Sequence, residues 1–411
     1  MNILYICTYY HRARIFRDSM NALIKRGHKV TAFNAVYKGT ELKEEYADLM
    51  DDLVIHRECF NKNDRYIYPL KQKKIFETLE KEYKNHHLED TEIIHSHTLL
   101  NGGLVAYKMY KKYNIPYVVS VRDTDLNTFL KVPVLKYYYR AVSKKILKNA
   151  KAVLFLSRAY RQELIGMYDK LAGDLYTKST VIPNGLERYW LDNCYTTRKT
   201  VRLSEYANIK KPNNKKPFKE TINLLCVGSI EYRKNQEIIL EAARILRDKG
   251  AKIETTIIGN VVDPEIHKSL NEHKHVKVLP FMPKEQLIEY YRNADIFVLP
   301  SLTETFGRVY TEAMTQALPV IYTKGQGFDG MYAEGTVGYA VSPTSAQEIA
   351  DRIEDILVNY RLISEYALLK SKRFDWDNLA ITLEKFYKNA IKRPNKQAVM
   401  PIPDDMDAEE E

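Results

Sequence analysis

One stretch constrains the fold of this chain more than any other: Ala294–Thr323, ADIFVLPSLTETFGRVYTEAMTQALPVIYT. Its run Ile296–Pro300 is too short for a helix and rich in β-branched and aromatic residues, which predicts a buried parallel strand. Pro300 and Ser301 end that strand, and Leu302–Glu304 form a short loop. A helix is expected over about 305–317, with Val309, Ala313 and Ala317 on one face beside Tyr310 and Met314. Pro319 restarts the chain as a strand, Val320–Tyr322. A strand–loop–helix–strand unit of this kind implies a parallel sheet and a right-handed crossover.

Two carboxylates mark the unit. Glu304 stands just before the helix and Glu312 within it, with seven residues between them. Eight residues of helix rise roughly 12 Å, long enough to engage two separated groups of one ligand. The amides of Thr305, Phe306 and Gly307 would open that helix, where free N–H groups attract phosphate. On spacing alone a plainer assignment is preferred, in which Glu304 complements the helix dipole and Glu312 is solvated.

The E-x7-E pair, read with PS-x-x-E-TFG before it and EAM-x-x-A-x-PV after it, closely resembles the signature of the family-4 glycosyltransferases. These are retaining enzymes of the GT-B fold. The resemblance rests on residue identities across a strand, a loop and a helix, and it reverses the preference.

At 411 residues the chain exceeds one ordinary domain, and two or three are expected. No apolar run approaches the length needed to span a membrane. MNILYIC begins directly as a strand, so no signal peptide is expected. Cys7, Cys59, Cys194 and Cys226 are scattered without metal-ligand spacing, which points to reduced thiols and a cytoplasmic location. The net charge is +10; the tail Asp404–Glu411 holds six carboxylates and no base, which leaves +16 on residues 1–403. A positive body suits nucleotide phosphates, an anionic membrane or nucleic acid, and charge alone does not choose among them. The tail is expected to be disordered.

In the N-terminal half, residues 2–7 and Lys29–Phe33 read as strands around a helix from Arg14 to Arg26. The first loop, Thr8-Tyr9-Tyr10-His11-Arg12, lacks the glycine pair usual in similar enzymes, so bulky side chains must shape that pocket. Residues 34–90 are charged and read as helical. Ile93–His97 reads as a strand end, Gly102-Gly103 opens a helix, and Ile115–Val121 is the next buried strand. By resemblance, the turn after that strand lies near the reacting sugar. Asp125 matches the family pattern, whereas Arg122 stands where a histidine is usual and Asp123 where a glycine is. An arginine does not act as a neutral acid or base, and it would hold an anionic acceptor or a phosphate instead. Asp123-Thr124-Asp125 also allows a minority reading as a metal-binding D-x-D.

Residues 131–151 contain seven Lys or Arg and no carboxylate. At helical spacing Lys136, Arg140, Lys144 and Lys148 form a basic stripe, and Leu135, Tyr139, Val142 and Ile146 an apolar one. This is either an ordinary packed helix with a solvated face or a docking edge for an anionic membrane or polyanionic acceptor.

A second α/β domain opens at Ile222–Gly228. By resemblance, its first loop supplies cations to the leaving diphosphate: Lys234 matches, Ser229 occupies the usual arginine position, and Arg233 is the candidate second charge. Gly259 and Asn260 are placed near the nucleotide, and Phe281 and Met282 near the base. Gly325–Gly330 reads as a mobile loop beside the donor. Helices are expected over about 345–371 and 377–391.

The expected architecture is α/β, GT-B, with two doubly wound Rossmann-like domains facing each other across a cleft. The N-terminal, acceptor-side domain spans 1–195, a linker 196–220, and the nucleotide-sugar-binding domain 221–375. A helix at about 377–391 packs back on the first domain, and 394–411 is the acidic tail. The implied activity is retaining transfer from a nucleotide-diphosphate sugar, UDP-sugar favoured over GDP-sugar, to a glycan or lipid-linked acceptor. A role in bacterial surface polysaccharide synthesis follows by analogy. Catalytic candidates are Glu304, Lys234, Arg233, Asp125 and Arg122. Donor-binding candidates are Ser229, Gly259, Asn260, Phe281, Met282, Thr305, Phe306, Gly307, Val309 and Glu312. By resemblance Glu304 holds sugar hydroxyls and Glu312 the ribose, with no metal or other cofactor and no nucleic-acid partner. The alternatives are a nucleotide-sugar epimerase on the same fold and a non-catalytic sugar-nucleotide or nucleic-acid binding protein.

Overall fold

The computed structural model describes residues 1–8, 14–40, 54–61, 63–64, 67–195 and 221–394, which divide into two compact units. Tyr9–Arg12 of the first loop, the linker over 196–220 and the acidic tail lie outside the described residues.

Unit 1 comprises Met1–Leu156, Tyr160–Gly185 and the chain from Trp376. Its strands are β1 (Asn2–Ile6), β2 (Lys29–Tyr37), β3 (Val54–Phe60), β4 (Ile93–Ser96), β5 (Tyr117–Val121), β6 (Ala152–Phe155) and β7 (Ser179–Val181). They pair in parallel in the order β3-β2-β1-β4-β5-β6-β7. The order reverses between β1 and β4, and in doubly wound sheets ligands bind at the carboxyl ends of the strands at such a switch point. β5 (YVVSV) is buried along its whole length because helices cover both faces of a parallel sheet. β3 corrects the helical reading of residues 34–90. Its polar Arg57 and Glu58 are exposed at the sheet edge, so the stretch lacks an apolar strand pattern.

Helix Trp376–Lys392 belongs to unit 1 and buries Leu379, Leu383, Phe386, Tyr387 and Ala390, at the three- and four-residue spacing of one helix face. The Tyr387 hydroxyl lies 2.6 Å from the Tyr5 hydroxyl and 2.7 Å from His95 Nδ1.

Unit 2 comprises Ser157–Ala159 and Leu186–Asp375, so its boundary falls ten residues before the expected one. Long-range packing decides this. Trp190 meets Tyr291 edge-on at 5.4 Å, and the Asn193 carbonyl accepts from Arg292 and Gln316. The strands β8 (Thr221–Val227), β9 (Lys252–Ile258), β10 (Val276–Leu279), β11 (Ile296–Val298), β12 (Val320–Thr323) and β13 (Gly338–Val341) form a parallel sheet ordered β10-β9-β8-β11-β12-β13. Here the switch point lies between β8 and β11.

The central helix is shorter than expected, Arg308–Thr315 rather than 305–317. Gly307 takes φ 74°, outside the helical region, and Ala317 takes φ 55° beyond the other end. An added Cβ at Gly307 would meet the Tyr310 ring at 2.3 Å, so only glycine fits that entry. The expected helix over 345–371 is two helices, Ala346–Val358 and Tyr360–Ser371, joined at Asn359.

Candidate active site

In unit 2 two loops leave adjacent strands at the switch point, and hydrogen bonds to backbone carbonyls lock them together. Asn235, left-handed at φ 56°, donates through Nδ2 to the carbonyls of Pro300 (3.0 Å) and Pro343 (2.7 Å). Leu302 N–H donates to the Arg233 carbonyl at 2.9 Å. The short 3₁₀ turn Tyr232–Lys234 then aims Lys234 across to the loop after β11. Its Nζ lies 2.5 Å from Glu304 Oε2, and each side chain is 11% exposed. Glu304 is held on both backbone sides: its N–H donates to Gln326 Oε1 at 3.0 Å, and its carbonyl accepts from Gly327 N–H at 2.9 Å. The loop 325–330, expected to be mobile, is thus tied to the candidate carboxylate.

Beside this pair, Glu231 joins two candidates that the sequence placed separately. It accepts from Ser229 Oγ at 2.5 Å and from Arg233 Nη2 at 2.8 Å, while Arg233 Nη1 donates to the Thr303 carbonyl at 3.0 Å. The Ser229 hydrogen bond first, then the nearby Arg233, hold the Glu231 carboxyl below its usual range. Sequence reasoning missed Glu231 and Gln326. Only a two-residue spacing from the basic pair hinted at the first, and nothing local marks the second.

The amides of Thr305, Phe306 and Gly307 lie before the helix rather than in its first turn. Together with those of Arg308 and Val309 they find no acceptor among the described residues. The Phe306 ring itself is buried between Phe328 and Phe374, which leaves its backbone as the part able to meet a ligand. Glu312 is half-buried, accepts from the Tyr291 hydroxyl at 3.3 Å, and is pushed above the usual carboxylate range by burial. Gly259 packs so tightly on the β8 loop that an added Cβ would meet the Gly228 carbonyl oxygen at 1.8 Å. The Asn260 carbonyl accepts from Ile230 N–H at 2.8 Å, while its side chain is exposed. Val309 is half-buried in the helix's first turn. Phe281, 66% exposed, and half-buried Met282 follow the edge strand β10, two strands from β8.

In unit 1, Asp125 is fully buried, and its two oxygens accept backbone N–H groups from Leu99 (3.0 Å), Leu100 (2.9 Å) and Arg122 (2.9 Å). Burial pushes its carboxyl up to about 6 against the opposing pull of those amides. These bonds make it a brace between the loops after β4 and β5, beside the turn that the resemblance places near the reacting sugar. Asp123 is used separately, accepting from Tyr160 (2.9 Å) and Asn127 (2.5 Å), so the D-x-D reading has no pair of free carboxylates. Arg122 donates to the His97 carbonyl (3.2 Å) and to Asn184 (3.2 Å), and lies over the Phe16 ring. Burial lowers it to about 10, still charged at neutral pH. Below it His95 bridges Tyr387 and Ser120 Oγ (2.8 Å), and burial drives it down to about 3, so the ring is neutral. Among the described residues no group of three or more His, Cys, Asp or Glu side chains gathers as a metal site. No described helix is long and apolar enough to cross a membrane.

Each unit is a parallel doubly wound sheet, and unit 2 carries a paired Lys and Glu at its switch point. Residues 208–393 match the model for glycosyl transferases group 1, and residues 13–188 match the model for glycosyltransferase family 4. A D-inositol 3-phosphate glycosyltransferase of Corynebacterium aurimucosum is 25% identical over 319 residues, covering 74% of this chain and 72% of its own length. Sucrose-phosphate synthase from Thermosynechococcus elongatus superposes with a TM-score of 0.69 at 19% identity, over 94% of this chain and 98% of that one. HepE of Anabaena, solved with UDP, gives 0.68 at 17% identity over 94% and 100%; the same protein is known with UDP-glucose. The chain belongs to the family-4-type glycosyltransferases and has the GT-B fold.

Proposed function

We propose that this glycosyltransferase moves a sugar from a nucleotide-diphosphate sugar, a UDP-sugar first and a GDP-sugar second, to a glycan or lipid-linked acceptor, with retention at the anomeric carbon. The observation that carries this is the buried Lys234–Glu304 pair at the β8/β11 switch point, beside a run of amides without acceptors among the described residues. In the free enzyme the two side chains satisfy each other. On donor binding the diphosphate takes Lys234, with Arg233 and the amides of 305–309, and the sugar hydroxyls take Glu304. Negative charge grows on the leaving phosphate as the glycosidic bond breaks, so preorganised donors at that point act on the transition state. Glu312 takes the ribose, while Gly259, Asn260, Phe281 and Met282 border the nucleoside. The leaving phosphate itself removes the acceptor's proton, and no metal takes part. The UDP preference draws support from the UDP and UDP-glucose complexes of HepE.

The N-terminal unit presents the acceptor, with the Arg122 guanidinium facing its anionic group. The basic segment 131–151 rests on an anionic membrane surface, where an acceptor of bacterial surface-polysaccharide synthesis would be met. Thermal melts with UDP, GDP and ADP, each with and without EDTA, test the donor reading. A ligand at 100 times its Kd adds about 2.7 kcal/mol. A shift with one nucleotide that EDTA leaves unchanged is the expected result; a shift lost in EDTA would overturn the metal-free reading, and no shift with any nucleotide would overturn the donor site.

A further inference from the structure

Helix Lys136–Asn149 of unit 1 carries an exposed basic face with no counter-charge of its own. Its buried stripe is Tyr139, Ser143, Ile146 and Leu147, whereas Leu135, assigned to that stripe by its period, is exposed. Lys144, Lys145 and Lys148 in the second half of the helix are all exposed. Lys131 pairs with Glu163 at 2.6 Å, but none of these three lysines forms an ion pair among the described residues. The segment 131–151 holds seven Lys or Arg and no carboxylate, so the face finds no partner in its own stretch.

The chain is pinned beside this face at the last residues described. Lys151 Nζ donates to the Arg393 carbonyl at 2.6 Å, and Arg393 Nη1 donates back to the Lys151 carbonyl at 3.2 Å. Arg393 Nη2 donates to the Thr177 carbonyl. Lys151 lies two residues beyond the helix and three beyond Lys148. In the sequence that follows, residues 395–403 carry one charge, Lys396, and Asp404–Glu411 carries six carboxylates and no base. Ten residues from Pro394 to Asp404 can span at most about 36 Å, and the helix is about 21 Å long. The anchor therefore keeps the acidic run within reach of all three lysines. A tether this short presents its end at an effective concentration on the order of 1 mM, so a contact too weak to join separate molecules can close within one chain.

We propose that the acidic run Asp404–Glu411 is the intramolecular partner of Lys144, Lys145 and Lys148, and that it shields this face from external polyanions. Exposed ion pairs are worth up to about fivefold each, so three closing together give roughly a tenfold bias to the docked form. That bias falls with salt, because the Debye length shrinks from about 10 Å at 0.1 M to about 3 Å at 1 M. Whatever polyanion the basic face binds must first displace the acidic run.

The first test is zero-length carbodiimide crosslinking of the full chain, with the joined peptides mapped by mass spectrometry. Links from Asp404–Glu411 to Lys144, Lys145 or Lys148 are expected at low salt, undiminished by dilution and lost near about 1 M salt. Links that fall away on dilution would overturn the intramolecular pairing in favour of a second copy; links only to other lysines, or none, would overturn it outright. The second test is affinity for heparin, used as a polyanion probe. Changing the six acids to amides (Asp404→Asn, Asp405→Asn, Asp407→Asn, Glu409→Gln, Glu410→Gln, Glu411→Gln) should tighten heparin binding about tenfold at low salt. Adding Lys144→Gln, Lys145→Gln and Lys148→Gln, exposed changes expected to melt with the wild type, should abolish most of that gain. A gain of equal size in both backgrounds would show that the acidic run acts through net charge alone, and would overturn the contact.

Discussion

Replacing Lys234 by Met keeps the side chain's length and removes its charge. In the native unit the ammonium sits 2.5 Å from Glu304 Oε2, and each side chain is only 11% exposed. Losing one member of a fully buried pair costs about 3–5 kcal/mol, because the other charge is left without a partner. The small opening to solvent lowers the expectation to about 2 kcal/mol, within the range for an orphaned polar group. For a unit of this size that is a fall of about 4–8 °C in melting temperature. Turnover should fall by about 10²–10³, the cost of removing one preorganised donor to the leaving group. The added change Glu304→Gln separates the two effects. With the orphan charge gone, Lys234→Met/Glu304→Gln should recover most of the lost melting temperature and none of the activity, since neighbouring residues couple. Circular-dichroism melts and a nucleotide-release assay read both quantities. A double variant no more stable than Lys234→Met, or a Lys234→Met enzyme with full turnover, would refute the reasoning.

Other perturbations follow the same logic. Asp125 has a folded-state pKa of about 6, raised from an ordinary 3.8, so the native state holds its proton more tightly than the unfolded chain does. Stability contributed by that proton is fully present below about pH 4 and lost as pH rises through 6. Asp125→Asn should remove this part of the pH slope, so that the wild-type-minus-variant stability difference falls between about pH 4 and 6, and should cost about 1–3 kcal/mol at neutral pH by turning an NH₂ toward a backbone N–H. Tyr387→Phe strands the Tyr5 hydroxyl and His95 Nδ1 in the core, and should destabilise unit 1 by about 1–3 kcal/mol in urea unfolding. Gly307→Ala forces a side chain into the Tyr310 ring at φ 74°. A drop in melting temperature together with weaker nucleotide binding is expected, and wild-type behaviour would show that the helix entry tolerates a Cβ.

The elements most legible in the sequence were those whose signals are local. Apolar runs such as Ile296–Pro300 and Tyr117–Val121 read as buried strands because parallel sheets are covered on both faces. Lys234 and Glu304, seventy residues apart, were both named, yet their pairing came only from the sheet order that sets β8 beside β11. The helix start was misplaced because Gly307 spends its conformational freedom on entering the helix, a choice that composition does not reveal. Asp125 matched a motif, and its burial under three backbone amides depends on loops separated by some twenty-five residues. Leu135 fitted the helical stripe in period, but the helix begins one residue after it. The segment 186–195 carries no boundary signal of its own; Trp190 joins unit 2 only because Tyr291 is there to receive it.

The most direct measurement is made on Glu304→Ala, comparing UDP binding by calorimetry with transfer or slow hydrolysis of the UDP-sugar. If Glu304 holds the sugar and Lys234 with the nearby amides holds the diphosphate, UDP affinity should stay within a few-fold of wild type while turnover falls by about 10² or more. Full turnover in Glu304→Ala, or a loss of UDP binding as large as the loss of turnover, would contradict that division of labour.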